Sequence, residues 1–480
     1  MKNTFYLILA LFLVNITFAQ VTYEYGDNFE YDTKAEQDPK FVLKDNYNHY
    51  MLSVVIVDGM MARRQMIMRK FDQKNQMVEM LTYDFPKFDI ATLYNYLGYA
   101  EANGKVAVFT QTYSNKAKKS VISVHVFDKA TSQFTTTELN STPILSAMKS
   151  GTVSMQTSDN GRNIGINYTM HQAKEEAEKN LMLLIDATTF SIIWQKEFAF
   201  TDKFFTKNFT VTNSARAVYL RKAKGMKQSN YLVLGSPDGQ EEKMLETEIL
   251  LHSLKAVSIG SQDYVLAFNH PLKGLRSGDY TNLLLYDLQT GKTIQNAKSN
   301  AFGTNRTVEV QFQNVSIQNN EIHIFAEAKV EADTKPAATT GGFGSSFPET
   351  VYHYNAGYLI VMGLDGTIKK EEKLNLSTTV ASLHHSYGLL NIKGNYYIHT
   401  GAHTSLPTRF PGLFALNAAD GYNMPKDWIL SPYAKDPKLY DQNVQYVHQL
   451  VNYFPDSNRL LFARIVNGNE MSLVNVFGMK

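Results

Sequence analysis

Short apolar runs that stop at a polar turn recur along the whole chain. Met66 to Asp72, Val121 to Asp128, Leu181 to Asp186 and Tyr231 to Ser236 are the first four, and Leu283 to Asp287, Tyr358 to Leu364, Leu413 to Asn417 and Met471 to Phe477 follow. Runs this short, rich in Val, Ile, Leu, Tyr and Phe, predict β-strands. They end at positions 72, 128, 186, 236, 287, 364, 417 and 477, at intervals of 50 to 60 residues apart from one of 77. Several lead into Gly-containing turns such as Thr290-Gly291, Asp238-Gly239, Asp365-Gly366 and Asp420-Gly421. Glycine adopts the positive φ that tight hairpins need.

A second series of turns precedes the first and keeps step with it. Asn103-Gly104, Asn160-Gly161, Asn213-Ser214, Gln262-Asp263, Asn319-Asn320, Lys393-Gly394 and Ser457-Asn458 each lead into a further apolar run. Gly104 to Asp128, Gly161 to Asp186 and Asp263 to Asp287 span 24 or 25 residues each. Two turn series in register mean two hairpins, hence four strands, per repeat. Four-stranded units at this spacing are the blades of a β-propeller. The chain is therefore read as all-β, a single propeller of eight blades, with seven as the alternative count. The last unit runs out after its third strand, near Phe477. The segment Val21 to Tyr25 has no partner of its own and is expected to supply the missing strand, closing the ring and covering an open sheet edge.

The N-terminus departs from this pattern. Lys2 precedes an apolar run from Phe5 to Val14, and a small residue, Ala19, follows. That is the pattern of a secretory signal peptide over residues 1–19, leaving residues 20–480 as the propeller domain. No twin-arginine pair is present, so the general secretory route is expected, with delivery to the periplasm or the exterior. No later segment is apolar and long enough to cross a bilayer as a helix.

Composition narrows the chemistry. There is no cysteine, which excludes disulfides, thiolate metal sites and a lipid anchor on Cys. Lys and Arg total 47 against 45 Asp and Glu, so net charge implies no nucleic-acid partner. No G-x-S-x-G elbow or H-E-x-x-H helix occurs. Among the histidines, His384 and His448 fall on the expected inner strands of blades seven and eight and are candidates to reach a central channel. Adjacent His384 and His385 point to opposite faces of a strand and cannot bind one ion together, so no metal site is expected. The Met-rich stretch from Met60 to Met80 is read as blade packing.

Two stretches, Ser158-Asp159-Asn160-Gly161-Arg162-Asn163-Ile164 and Phe454-Pro455-Asp456-Ser457-Asn458-Arg459-Leu460, resemble the S-P-D-G-x-x-I/L turn of TolB-like and WD40-like propeller repeats. The resemblance is motif-level in these blades and implies the fold and a cell-envelope setting, not an activity. Asp186 to Trp194 also resembles the tryptophan-docking repeat of quinoprotein propellers, but in a single copy with Phe190 in place of its Gly, and no cofactor is expected.

The variable loops between second and third strands are the natural binding surface. Lys118, Lys119, Arg221, Lys222, Lys224, Lys227, Lys273 and Arg276 would gather there as a basic patch suited to an anionic glycan or an acidic envelope protein. The long interval is assigned to a flexible insertion at about 331–350, poor in apolar residues, with Phe343 and Phe347 as its aromatic contacts. The expected function is an exported, non-enzymatic interaction or scaffold propeller that binds a protein or glycan through its loop face. The alternative is a carbohydrate-active propeller enzyme with acidic residues near the central channel.

Overall fold

The computed structural model describes residues 22–477 except 34, 45–46, 58–62, 87–91, 115, 147–148, 172–176, 201–203, 224–230, 246–248, 272–280, 303–308, 336–348, 375–377, 381–386, 401–411 and 424–443. Among the described residues the strands form eight antiparallel sheets; seven follow chain order as meanders, one of them with Thr378–Val380 added beside Glu349–Gly363, and the eighth does not. Blade 1 spans 36–84, blade 2 92–143, blade 3 152–200, blade 4 204–244, blade 5 249–299, blade 6 309–380 and blade 7 387–416. These sheets, with an eighth described below, are the blades of a β-propeller, and the count of eight replaces the alternative of seven. Blade 7 has three strands among the described residues.

Burial explains why the apolar runs are continuous. In blade 4 the strand Ala217–Ala223 sends Ala217 and Tyr219 into a core shared with Met182, Leu184 and Phe200 of blade 3. Val218 and Leu220 point the other way, into a core with Leu251, Val265 and Leu284 of blade 5. Alternate side chains leave opposite faces of a strand, and both faces of a middle strand are covered by neighbouring blades. Fourth strands have fewer neighbours, so Ile192–Phe200 alternates between exposed and covered positions. Blades approach most closely where a side chain is missing. A Cβ on Gly165 would collide with Val211 Cγ2, and one on Gly235 would lie 2.8 Å from Phe198 Cζ.

The two turn series are hairpins built as expected. Ala102 pairs with Lys105 across Asn103 and Gly104, whose φ angles are 51° and 73°. Two positive φ values in a two-residue loop make a type I′ turn, which Asn-Gly favours. The aspartates that end third strands close the next turn. Asp186 accepts hydrogen bonds from the Thr188 and Thr189 amides at 2.6 and 3.0 Å, and Asp287 from Gln289 and Thr290 at 2.7 and 3.1 Å. The Ser158–Ile164 turn ties blade to blade, because Asn163 Nδ2 donates to the Thr212 and Asn213 carbonyls, each at 3.1 Å.

Blade 8 is assembled from both ends of the chain. Thr22–Tyr25 pairs antiparallel with Glu470–Phe477, from Thr22 opposite Phe477 to Tyr25 opposite Val474. Phe29–Glu30 adds to the same strand. Tyr23 and Tyr25 pack on the core that holds Phe462, Val474 and Val476, and Arg464 lies 4.5 Å over the Tyr25 ring. The pairing expected of residues 21–25 is present from Thr22 onward.

Both ends of the segment expected as an insertion, 331–335 and 349–350, are strand. Strands Glu321–Lys335 and Glu349–Gly363 continue as a paired ribbon, with Lys335 opposite Glu349. Residues 336–348, Phe343 and Phe347 among them, lie outside the described residues. Contacts divide the chain into two compact units, one of Val54–Met66 and Thr82–Ser386 and the other of the described residues up to Ser53, Ile67–Leu81 and those from Tyr387 onward.

Candidate functional site

The first strands of blades 4, 5 and 6 share an irregularity. In blade 4, Phe204–Val211 slips register between Thr206 and Asn208, leaving Lys207 as the extra residue. In blade 5, Ile249–Ile259 slips between Leu251 and Ser253, leaving His252. In blade 6, Glu309–Gln318 slips between Phe312 and Asn314, leaving Gln313. A β-bulge bends its strand and re-aims the extra side chain. These first strands lie beside one another within one compact unit, and all three bulge residues open onto one cavity of about 550 Å³.

The cavity wall is mostly polar. Gln156 from blade 3 and Asn208, Gln311, Gln313 and Asn314 supply amides, Lys207 and Lys255 supply ammonium groups, and Leu254 and Phe312 are its apolar members. Among the described residues no carboxylate lines it. Lys255 donates to the Thr157 carbonyl at 3.4 Å. Burial pulls its pKa below the usual lysine value, and nearby Asp159 only partly opposes this. Asp159 itself is raised above the ordinary carboxyl value, burial being the largest cause.

His252 reports the local potential. Its ring centroid lies 4.3 Å from that of His270, edge to face. Burial first, then His270, Lys207 and Lys222, pushes its pKa down to about 3. Its imidazole is therefore neutral at physiological pH, in a field to which two lysines contribute. Lys207 donates to the Leu251 carbonyl at 3.4 Å.

The residues singled out by composition fall elsewhere for the most part. Arg221 is not in a loop but in the strand Ala217–Ala223, and its guanidinium is wholly buried. It pairs with Glu178, donates to Thr206 Oγ1 at 2.7 Å and lies 3.9 Å over the Phe200 ring. Its charge is thus consumed inside the fold. Lys222, half-buried on the same strand, contributes to the potential at His252. Lys118 is exposed in a turn at φ 51°, and Lys119 opens the strand Lys119–Asp128. Neither lines the cavity. His448 sits in the first strand of blade 8, where register slips between Val447 and Val451. Lys224, Lys227, Lys273, Arg276, Phe343, Phe347 and His384 lie outside the described residues.

Sequence reasoning missed Lys207, His252, Lys255 and Gln313. The available signal was a polar residue interrupting each first strand, as in Lys207-Asn208-Phe209, His252-Ser253-Leu254 and Gln313-Asn314-Val315. Fold and site together define a β-propeller with a cationic, amide-lined cavity on the first strands of successive blades.

No protein-family model and no curated protein matches the chain. Among solved structures, the β-propeller domain of the Trilobed protease from Pyrococcus furiosus is similar at 12% identity and a TM-score of 0.39, over 84% of this chain and 98% of that one. Acylaminoacyl peptidase from Pyrococcus horikoshii is similar at 11% identity and a TM-score of 0.39, over 90% of this chain and 57% of that one. The Dos1 propeller is similar at 11% identity and a TM-score of 0.34, over 60% of this chain and 65% of that one. Likeness at this level carries no argument about activity or ligand, and the fold rests on the sheet register described above.

Proposed function

We propose that the protein is an exported interaction module, non-enzymatic, that binds a protein or glycan in the cavity on the first strands of blades 3 to 6. The observation that carries this reading is the wall itself: amide and ammonium groups from four successive blades converge on one concavity of about 550 Å³. That volume lies within the usual span of ligand pockets, roughly 300–1,000 Å³. Export is supported by the apolar run at residues 5–14, and the Ser158–Ile164 turn, similar to TolB-like repeats, agrees with an envelope setting. Among the described residues no helix is long and apolar enough to cross a membrane.

The enzymatic alternative needs two carboxylates facing a glycosidic bond, and among the described residues the ionisable groups lining this cavity are two lysines and a histidine. Residues 20–480 are to be screened against a glycan array and, as bait, against envelope proteins, with hydrolysis followed in parallel. Saturable binding without turnover that weakens when Lys207→Met is introduced is the expected result. Absence of any binding, or turnover of a bound glycan, overturns the reading.

A further inference from the structure

The charge and the hydrogen-bonding groups of the cavity together specify a ligand more closely than either does alone. Lys207 and Lys255 put two ammonium groups on one wall, and no carboxylate among the described residues shares that wall with them. Lys222 adds a third cation whose charge reaches His252 at the cavity's edge. Asp159, which does not line the cavity, acts on Lys255 but does not offset the effect of its burial. An anion entering here meets a positive potential in a partly desolvated hollow, where charge–charge attraction is stronger than at an open surface.

The remaining groups are primary amides. Each offers two N–H donors and a carbonyl acceptor, the combination that matches hydroxyl groups, which donate and accept in turn. A peptide would instead call for apolar side-chain pockets, and Leu254 and Phe312 are the apolar members of the lining.

We propose that the cavity is an acidic-sugar site: it takes an oligosaccharide bearing carboxylates, with one carboxylate held by Lys207 and Lys255 and the hydroxyls read by Gln156, Asn208, Gln311 and Gln313. The inference rests on the reading of the protein as a binding module that uses this cavity, and it adds the class of ligand.

The test uses the full mature chain and three probes measured by calorimetry: a tetramer of α-1,4-linked galacturonic acid, the same tetramer fully methyl-esterified, and a short polyglutamate peptide. The free acid is expected to bind at least about tenfold tighter than the ester, the loss of a charge-assisted contact. Lys207→Met and Lys255→Met are expected to weaken the acid about tenfold each, while Lys118→Met, at a position that does not line the cavity, leaves it unchanged. Melting curves and circular dichroism show that each variant is folded, and Lys207→Gln serves if Lys207→Met is not. Equal binding of acid and ester overturns the acidic-sugar site but leaves a glycan-binding cavity. Binding of polyglutamate alone overturns the sugar class while keeping an interaction module. Binding of the acid unaffected by both lysine variants overturns the placement. No binding of any probe overturns the inference, and only failure of the wider screen also removes the reading on which it rests.

Discussion

Arg221 Nη1 donates to Glu178 Oε1 between blade 4 and blade 3, and their side chains are 0% and 5% exposed. The carboxylate also accepts from the Thr206 amide at 2.9 Å and from Asn180 Nδ2 at 2.7 Å. Every element of this knot is polar, and it lies among apolar blade faces. Its energy comes from pairing: either charge alone in that place would be left without its counterion.

Removing one partner is therefore far more costly than removing both. Arg221→Met is expected to lower stability by about 3–5 kcal/mol, read from urea denaturation. The double variant Arg221→Met with Glu178→Gln is expected to recover part of that loss, because no uncompensated charge remains. A double variant as unstable as the single one would mean that the guanidinium acts by shape, through its stacking on Phe200, and not by charge. Reversing Arg221 to Glu consequently reports on folding and cannot be used to probe a binding surface.

His125 gives the protein an acid-sensitive element. Its Nε2 lies 2.9 Å from Thr110 Oγ1, its Nδ1 lies 2.8 Å from Thr136 Oγ1, and the ring stacks on Phe85 at 4.2 Å. Burial lowers its pKa from 6.5 to about 4. Below pH 6.5 the unfolded chain binds this proton before the folded protein does, so stability is full above that value. It falls as pH drops from 6.5 towards 4, by about 3 kcal/mol in all. Denaturation midpoints of wild type and His125→Gln, compared across this range, are expected to converge as pH falls. A constant difference would show that His125 titrates normally.

Gly165 marks a point where blades 3 and 4 touch without room for a methyl group. Gly165→Ala drives its Cβ into Val211 and towards Phe209, and is expected to cost about 1–3 kcal/mol. Pairing it with Val211→Ala makes space, and recovery in the double variant, measured by thermal melting, checks that the clash is the cause.

The strand Thr22–Tyr25 covers one edge of Glu470–Phe477. A chain that begins at Asp27 is expected to lose about 3 kcal/mol or more through the uncovering of Tyr23 and Tyr25 contacts. It is also expected to self-associate through the open edge, seen by light scattering as a rise in mass with concentration. A truncated chain as stable and as monomeric as the original would remove closure from the account of the fold.

The architecture was legible because its signals are local. Asp186 and Asp287 end third strands in sequence and cap the following turns in space, and Asn103-Gly104 needs no tertiary contact to turn a hairpin. The site was not legible because a bulge is a relation between two strands. Lys207 and His252 become extra residues only against their partners Ala217–Ala223 and Gln262–Pro271. Arg221 was misread because Arg221-Lys222-Ala223-Lys224 has the composition of a surface loop. Period-two reasoning places it correctly: Ala217, Tyr219 and Arg221 share one face, and that face meets blade 3, where Glu178 waits. Of the other basic candidates, Lys118 and Lys119 do not line the cavity, Lys222 acts on His252, and Lys224, Lys227, Lys273 and Arg276 lie outside the described residues.

The pairing of Tyr25 with Val474 joins the first described strand to the last. During synthesis Thr22–Tyr25 emerges long before Glu470–Phe477 and has nothing to add to until that strand has been made. Contacts of such long range form late, and they set the pace of folding. A polypeptide whose translation stops early would carry an orphan N-terminal strand and lack the closing strands of blade 8. The seam thus separates chains that have been made as far as Phe477 from those that have not, since only the former can cover that edge.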